Sequence, residues 1–105
     1  MKTLPDTFAA LADPVRLAIV ERLLADGPQN AGALGAVAAI SAPAISRHLK
    51  VLREAGIVER EVAAQHRIYA VRPQAMQGID NWVSDRRKFW QASLDRLEAA
   101  LTERA

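Results

Sequence analysis

Ser46, Arg47, Lys50 and Arg53 are the residues of this chain best suited to act on another molecule. In a helical segment, 100° per residue turns these four away from Ile45, Leu49 and Leu52, which recur at i, i+4 and i+7 as a core face does. A polar helix face of this kind fits the major groove of duplex DNA, where Arg pairs in a bidentate way with a guanine edge. With the N-terminal half entering first, Ala42, Pro43, Ser46, Arg47 and Lys50 come nearest the bases. Small residues at 42 and 43 permit close approach and contact with thymine methyls. Arg53 and Arg60 fall nearer the phosphates, and Arg67 reaches the backbone or the adjacent minor groove. Ser41 and His48 complete the candidate set. For His48, a phosphate contact and a half-buried structural role are both open.

The charge distribution favours the same region. The chain has 105 residues and a formal net charge of only +2. Residues 1–40 carry three Lys/Arg against four Asp/Glu, residues 41–72 six against three, and residues 73–105 five against five. The positive excess therefore sits in the middle third. Two other functions remain open at this level. One is a protein-docking face on the same helix, which predicts no salt-dependent DNA binding. The other is a non-specific nucleoid-type binder, which predicts a salt slope without a preferred site.

Other chemistry finds little support. There is no cysteine, so disulfides, thiolate metal sites and a cysteine nucleophile are excluded. Ser46 and His48 are two positions apart on one helix and point about 160° from each other, which defeats nucleophile activation. No glycine-rich phosphate loop and no paired-carboxylate motif occurs. Asp80, Asp85 and Asp95 read as solvated carboxylates. The expectation is a protein that is not an enzyme and carries no metal and no cofactor. Half the residues are hydrophobic and a quarter charged, as in a globular domain, and no apolar run approaches the ~18 residues that span a bilayer. The N-terminus shows no apolar signal core, so a cytoplasmic protein without a membrane partner is expected.

The elements that position the basic face follow from punctuation and period. Leu4, Phe8 and Leu11 mark a short first helix, with Pro5 in its first turn. Asp13-Pro14 caps and starts a second over about 14–26, with a stripe of Val15, Ala18, Ile19, Leu23 and Leu24, closed by Gly27-Pro28. Asn30 caps a third, alanine-rich helix through Leu34, Val37 and Ala38, ending near Ile40. Ser41 caps the fourth, which Gly56 ends. Residues 57–62 and 67–71 are β-branched and interleaved with charge, as in a hairpin. Their connection, residues 63–66, lacks glycine and asparagine and predicts a looser loop than a two-residue turn. From Gln74 to Arg104 a single helix of about 45 Å is expected. Its apolar positions, Ile79, Trp82, Val83, Phe89, Trp90, Leu94, Leu97 and Leu101, step mostly by three and four. The fold is mainly α with a small β-hairpin, in the order ααααββα.

Two strings within this frame resemble the ArsR/SmtB-type winged helix-turn-helix repressors. One is Leu11-Ala12-Asp13-Pro14-Val15-Arg16-Leu17-Ala18-Ile19-Val20, which resembles their opening signature. The other runs from Ser41 through Ser46-Arg47-His48-Leu49-Lys50 to Val58 and is similar to their recognition helix and first wing strand. Gln65-His66-Arg67-Ile68-Tyr69 resembles the second wing strand. The likeness is strong over about 8–72. Two departures stand out: Ala42 replaces a frequent glutamine, and the wing loop has no glycine. The resemblance implies a homodimeric repressor on an inverted-repeat operator, in a cysteine-free subgroup without a metal site. A second metal design of the family uses histidines on the last helix, and this last helix has none.

The whole chain, 1–105, thus reads as one winged-helix DNA-binding domain. Residues 30–56 form the helix-turn-helix, 57–72 the wing, and 1–12 with 74–104 the dimerisation helices. The long helix has more apolar face than a small head can cover, so self-association follows physically. The expected dimer interface is Leu4, Phe8, Trp82, Val83, Phe89, Trp90, Leu94, Leu97 and Leu101. Its partners are double-stranded DNA and a second copy, with a small-molecule or protein effector left open. The stripe of Trp82, Phe89 and Trp90 reads first as packing in the core or dimer seam, and it is the place where a small apolar effector would lodge between the two long helices.

Overall fold

The computed structural model describes residues 3–103, so the expectations for residues 1, 2, 104 and 105 lie outside the described residues. Helix α1, Leu4–Leu11, begins at Thr3, whose hydroxyl accepts from the Asp6 N–H while the Asp6 carboxylate accepts from the Thr3 N–H. This reciprocal pair satisfies two of the donors that a helix start leaves orphaned. Helix α2, Pro14–Asp26, is capped by Asp13 and ended by Gly27, whose φ of 82° suits glycine alone. Its buried residues are Ile19, Val20 and Leu23, while Leu24, expected in the same stripe, is exposed. The packed face therefore takes in Val20 rather than Leu24.

The third helix is shorter than its sequence suggests. Strand β1, Gln29–Asn30, leads into α3, Ala31–Leu34, and a single 3₁₀ turn over Gly35–Val37 replaces the rest of the expected helix. Leu34 is fully enclosed and anchors the segment, whereas Ile40 lies exposed beyond it. One deep anchor and a glycine at 35 give the helix nothing to propagate on. Helix α4, Ala42–Glu54, then runs as expected, capped by Ser41 and followed by Gly56 at φ 76°.

Strands β2, Val58–Ala63, and β3, His66–Val71, pair antiparallel from Val58 opposite Val71 to Ala63 opposite His66. Only Ala64 and Gln65 connect them, so the looser loop expected from the missing glycine is replaced by a tight turn. Ala64 takes φ 57°, the positive region that two-residue turns require and glycine fills more easily. The long ladder on both sides fixes the register and overrides the local preference. β1 adds a third strand, Gln29 opposite Tyr69 and Asn30 opposite Ile68, giving the order β1-β3-β2. Two residues are too few to carry a strand signal in sequence.

Ile19, Leu23, Leu34, Ile45, Leu49, Leu52, Ile57, Val58 and Tyr69 close one core under α2, α4 and the sheet. Helix α5, Pro73–Glu103, contributes no fully buried residue; Ala75 and Met76 near its start pack against the core's edge. Its remaining length projects. The Cα radius of gyration is 18.0 Å, against about 13 Å for a compact chain of this size. None of the helices among the described residues is long and apolar enough to cross a membrane.

Candidate nucleic-acid interface

The exposed face of α4 is set by its buried one. Ile45, Leu49 and Leu52 are at most 1% exposed, and this fixes Arg47 and Lys50 outward. Ala42, Pro43 and Ser46 lie exposed along the first turns, and the Ser41 hydroxyl accepts from the Ala44 N–H at 3.3 Å. Beside this face, α4 and the wing enclose an open cleft of about 500 Å³. Ser46, Lys50, Arg53, Arg60 and Arg67 all line it, together with Arg72, Glu54, Glu59, Val58 and Tyr69. Five cations meet two carboxylates there. Lys50 lies 4.0 Å from Glu54 on the surface of α4, a weak pair in water. The cleft is suited to an anionic chain laid between helix and wing.

Most of the sequence-predicted residues are therefore gathered on one side. Arg72 was missing from that set. It stands just past β3 and before Pro73, where the sequence reads as punctuation, although it belongs to the positively charged middle third. Its backbone N–H donates to the Ile57 carbonyl at 2.8 Å and ties the strand end to the base of the cleft.

His48 is placed on the opposite side of α4 from the cleft. Its Nδ1 lies 3.8 Å from Asp13 Oδ2 and 3.4 Å from Arg16 Nη1, and the side chain is 23% exposed. Asp13 Oδ2 also accepts from the backbone N–H groups of Val15 and Arg16, at 2.9 and 3.0 Å. The Arg16 N–H above all holds the Asp13 carboxyl below its ordinary pKa, outweighing desolvation; the charges of Arg16 and His48 and the Val15 N–H add to it. Among the described residues no three His, Asp or Glu side chains gather to hold a metal ion.

The expected interface residues occupy α1 and the outer side of α5. Trp82 is half-buried between Phe8 and Trp90, at ring-centroid distances of 5.6 and 5.3 Å in edge-on geometry, with Arg86 4.8 Å from its ring centre. Leu4 and Val83 are half-buried as well. Phe89, Leu94, Leu97 and Leu101 are exposed by 58–69%.

A helix-turn-helix domain family matches residues 11–61. The HTH-type transcriptional regulator Rv2034 of Mycobacterium tuberculosis is 41% identical over 91 residues, which are 86% of this chain and 81% of that one. The transcriptional repressor SdpR of Bacillus subtilis is 32% identical over 78 residues, 74% of this chain and 86% of its own length. Among solved structures, a possible transcriptional regulator for arsenical resistance superposes with a TM-score of 0.71 at 36% identity, covering 90% of this chain and 95% of that one. An ArsR-like regulator from Rhodococcus superposes at 0.68 and 27% identity, covering 97% and 92%. These relatives regulate transcription and are not enzymes. On fold, cleft and relatives together, the chain belongs to the ArsR-type winged helix-turn-helix transcriptional regulators.

Proposed function

We propose that the protein is a homodimeric repressor that occupies an inverted-repeat operator, with α4 in the major groove and the β2–β3 hairpin alongside as the wing. The observation that carries this reading is the cleft in which five cations from α4, the wing and its base meet two carboxylates beside an exposed Ser46, Arg47 and Lys50. Arg47 reads a base edge, and Arg53, Arg60, Arg67 and Arg72 hold phosphates. Ser41 supports the first turn, Ala42 and Pro43 allow close approach, and His48 supports the helix from behind. Repression needs no chemistry beyond occupancy of promoter DNA.

Dimerisation supplies the second half-site. The exposed apolar residues of α5, with Leu4, Phe8, Trp82 and Val83, form the face that a second copy covers. Trp90, Leu94, Leu97 and Leu101 step by four, three and four, the spacing of a helix seam. A two-fold dimer then presents two α4 helices about 34 Å apart, one turn of B-DNA.

The test is a selection from fragmented genomic DNA with purified protein at about 150 mM salt, followed by footprinting. A protected inverted repeat with half-sites one helical turn apart is the expected result. Equal retention of every fragment indicates a nucleoid-type binder, and retention of none indicates a protein-docking role; either overturns the repressor.

A further inference from the structure

Arg16 stands on α2, behind the surface that faces DNA, and the proposed function gives it no part. Its guanidinium nevertheless joins two other helices. Nε donates to the carbonyl of Ala10, and Nη1 lies 3.4 Å from Nδ1 of His48 on α4. The Ala10 carbonyl belongs to the last turn of α1, where carbonyls have no partner within their own helix, and Ala10 is a core residue. A neutral His48 imidazole protonated on Nε2 accepts at Nδ1. Asp13, which caps α2 through the Val15 and Arg16 N–H groups, closes the junction 3.8 Å from the same nitrogen.

What such a junction does follows from the kind of force that holds α4. Ile45, Leu49 and Leu52 seat the helix by burial, and burial is non-directional. Crossing angles between apolar helix pairs vary by roughly 15–20° from one pair to another, so burial by itself does not dictate one orientation. A roll of about 20° at a side-chain radius of about 6 Å carries a tip through about 2 Å, enough to break a bidentate contact with a base. Hydrogen bonds are directional, and the described residues place Arg16 and Asp13 against the side of α4 that the cleft leaves free. Two residues before Ala10, Phe8 on the same helix α1 meets Trp82 of α5.

We propose that Arg16 is a positioning residue of the DNA-reading helix: by holding the Ala10 carbonyl and His48 together it fixes the roll of α4 against α1, and through Phe8 and Trp82 against α5. The orientation of the base-reading face is thereby set from the dimer side of the molecule. This rests on the DNA-binding reading above.

The test uses the full chain, the operator duplex recovered by selection, and a random duplex of equal length. Arg16→Met removes both contacts, His48→Leu removes the acceptor, and His48→Asn keeps an acceptor near the Nδ1 position. Thermal unfolding is measured alongside. If Arg16→Met fails to fold, the two His48 variants, which leave Ala10 with its Arg16 partner, carry the test. Arg16→Met and His48→Leu are expected to lose about tenfold in operator affinity. Their affinity for random DNA and their salt slope stay as in the parent, and His48→Asn recovers most of the loss. The double variant, Arg16→Met with His48→Leu, is expected to be no weaker than the worse single one, since both break one connection. Folded variants that bind the operator like the parent overturn the proposal. So do additive losses, and so does an equal loss on both duplexes with a lower salt slope, the mark of a direct phosphate contact. A parent chain that retains no DNA overturns the DNA-binding reading itself, and the proposal with it.

Discussion

Leu52 and Leu97 are the same side chain in two helices, α4 and α5, and the fold treats them oppositely. Leu52 of α4 is fully enclosed in the core, whereas Leu97 of α5 is 60% exposed on a helix with no fully buried residue. The head, residues 4–72, closes a core, and the large apolar residues that it leaves exposed, such as Leu17, Leu24 and Val62, are spread over different elements. The projecting part of α5 has no core of its own and leaves Phe89, Leu94, Leu97 and Leu101 open along one helix. Scattered exposed leucines are ordinary on protein surfaces, but a row of them at helix-seam spacing is not. It is this row that leads us to propose the head as the subunit and α5 as the element that joins subunits.

The strongest way to break this contrast is to truncate both leucines. Leu52→Ala is expected to cost about 2–5 kcal/mol of folding stability, read from denaturant unfolding, because the site is sealed on every side. Leu97→Ala removes the same methyl groups from the surface that we assign to a second copy. It is expected to weaken association by up to about 1.5–3 kcal/mol in each subunit, read by sedimentation. At high protein concentration its unfolding midpoint should approach the parent's. A concentration-independent loss for Leu97→Ala equal to that of Leu52→Ala would erase the distinction between head and seam.

Within the head, Arg47 and Arg67 sharpen a second contrast, between the exposed helix face and the cleft beside the wing. Arg47→Ala is expected to cost about 1–3 kcal/mol on the operator and to relax preference at one base pair, with little change on random DNA. Arg67→Ala should weaken binding to all duplexes alike and lower the salt slope by about one unit. Equal losses on operator and random DNA for Arg47→Ala would remove it from the base-reading role.

What the sequence made legible follows the same division. The caps at Asp13 and Ser41, the glycine ends at Gly27 and Gly56, and the buried row Ile45, Leu49 and Leu52 are local or periodic signals, and the structure has them. Ser46, Lys50, Arg53, Arg60 and Arg67 were legible as a basic set because period and charge mark them within residues 46–67; their meeting in one cleft, with Arg72 at an element's edge, was not. The two-residue strand β1, the short α3 and the tight Ala64-Gln65 turn were not, since each is decided by pairing with β3 or by a single anchor, Leu34. The Arg16–His48 junction was also out of reach. Its members are 32 positions apart, and nothing in either segment specifies that α1, α2 and α4 converge there.

The smallest effect concerns that junction, and it separates head from tail by pH. Asp13 has a lowered pKa in the folded chain, so folding favours its ionised form. Its contribution is complete above the unfolded value near 3.8 and is lost as pH falls through that value toward the lower folded one. Asp13→Ala should therefore lower the thermal midpoint by the same few degrees at about pH 5 and about pH 7, with the gap to the parent closing below about pH 4. Asp95 on α5 accepts from Gln91 Nε2 at 3.0 Å in full solvent, an i, i+4 contact of about 0.2–0.5 kcal/mol. Asp95→Ala should move the midpoint less than Asp13→Ala at every pH above 4, because it removes a surface pair and leaves the meeting of three helices intact. A gap for Asp13→Ala that stayed constant down to pH 3 would place the residue's contribution in its backbone conformation, and the carboxylate would no longer be what holds the start of α2 to α4.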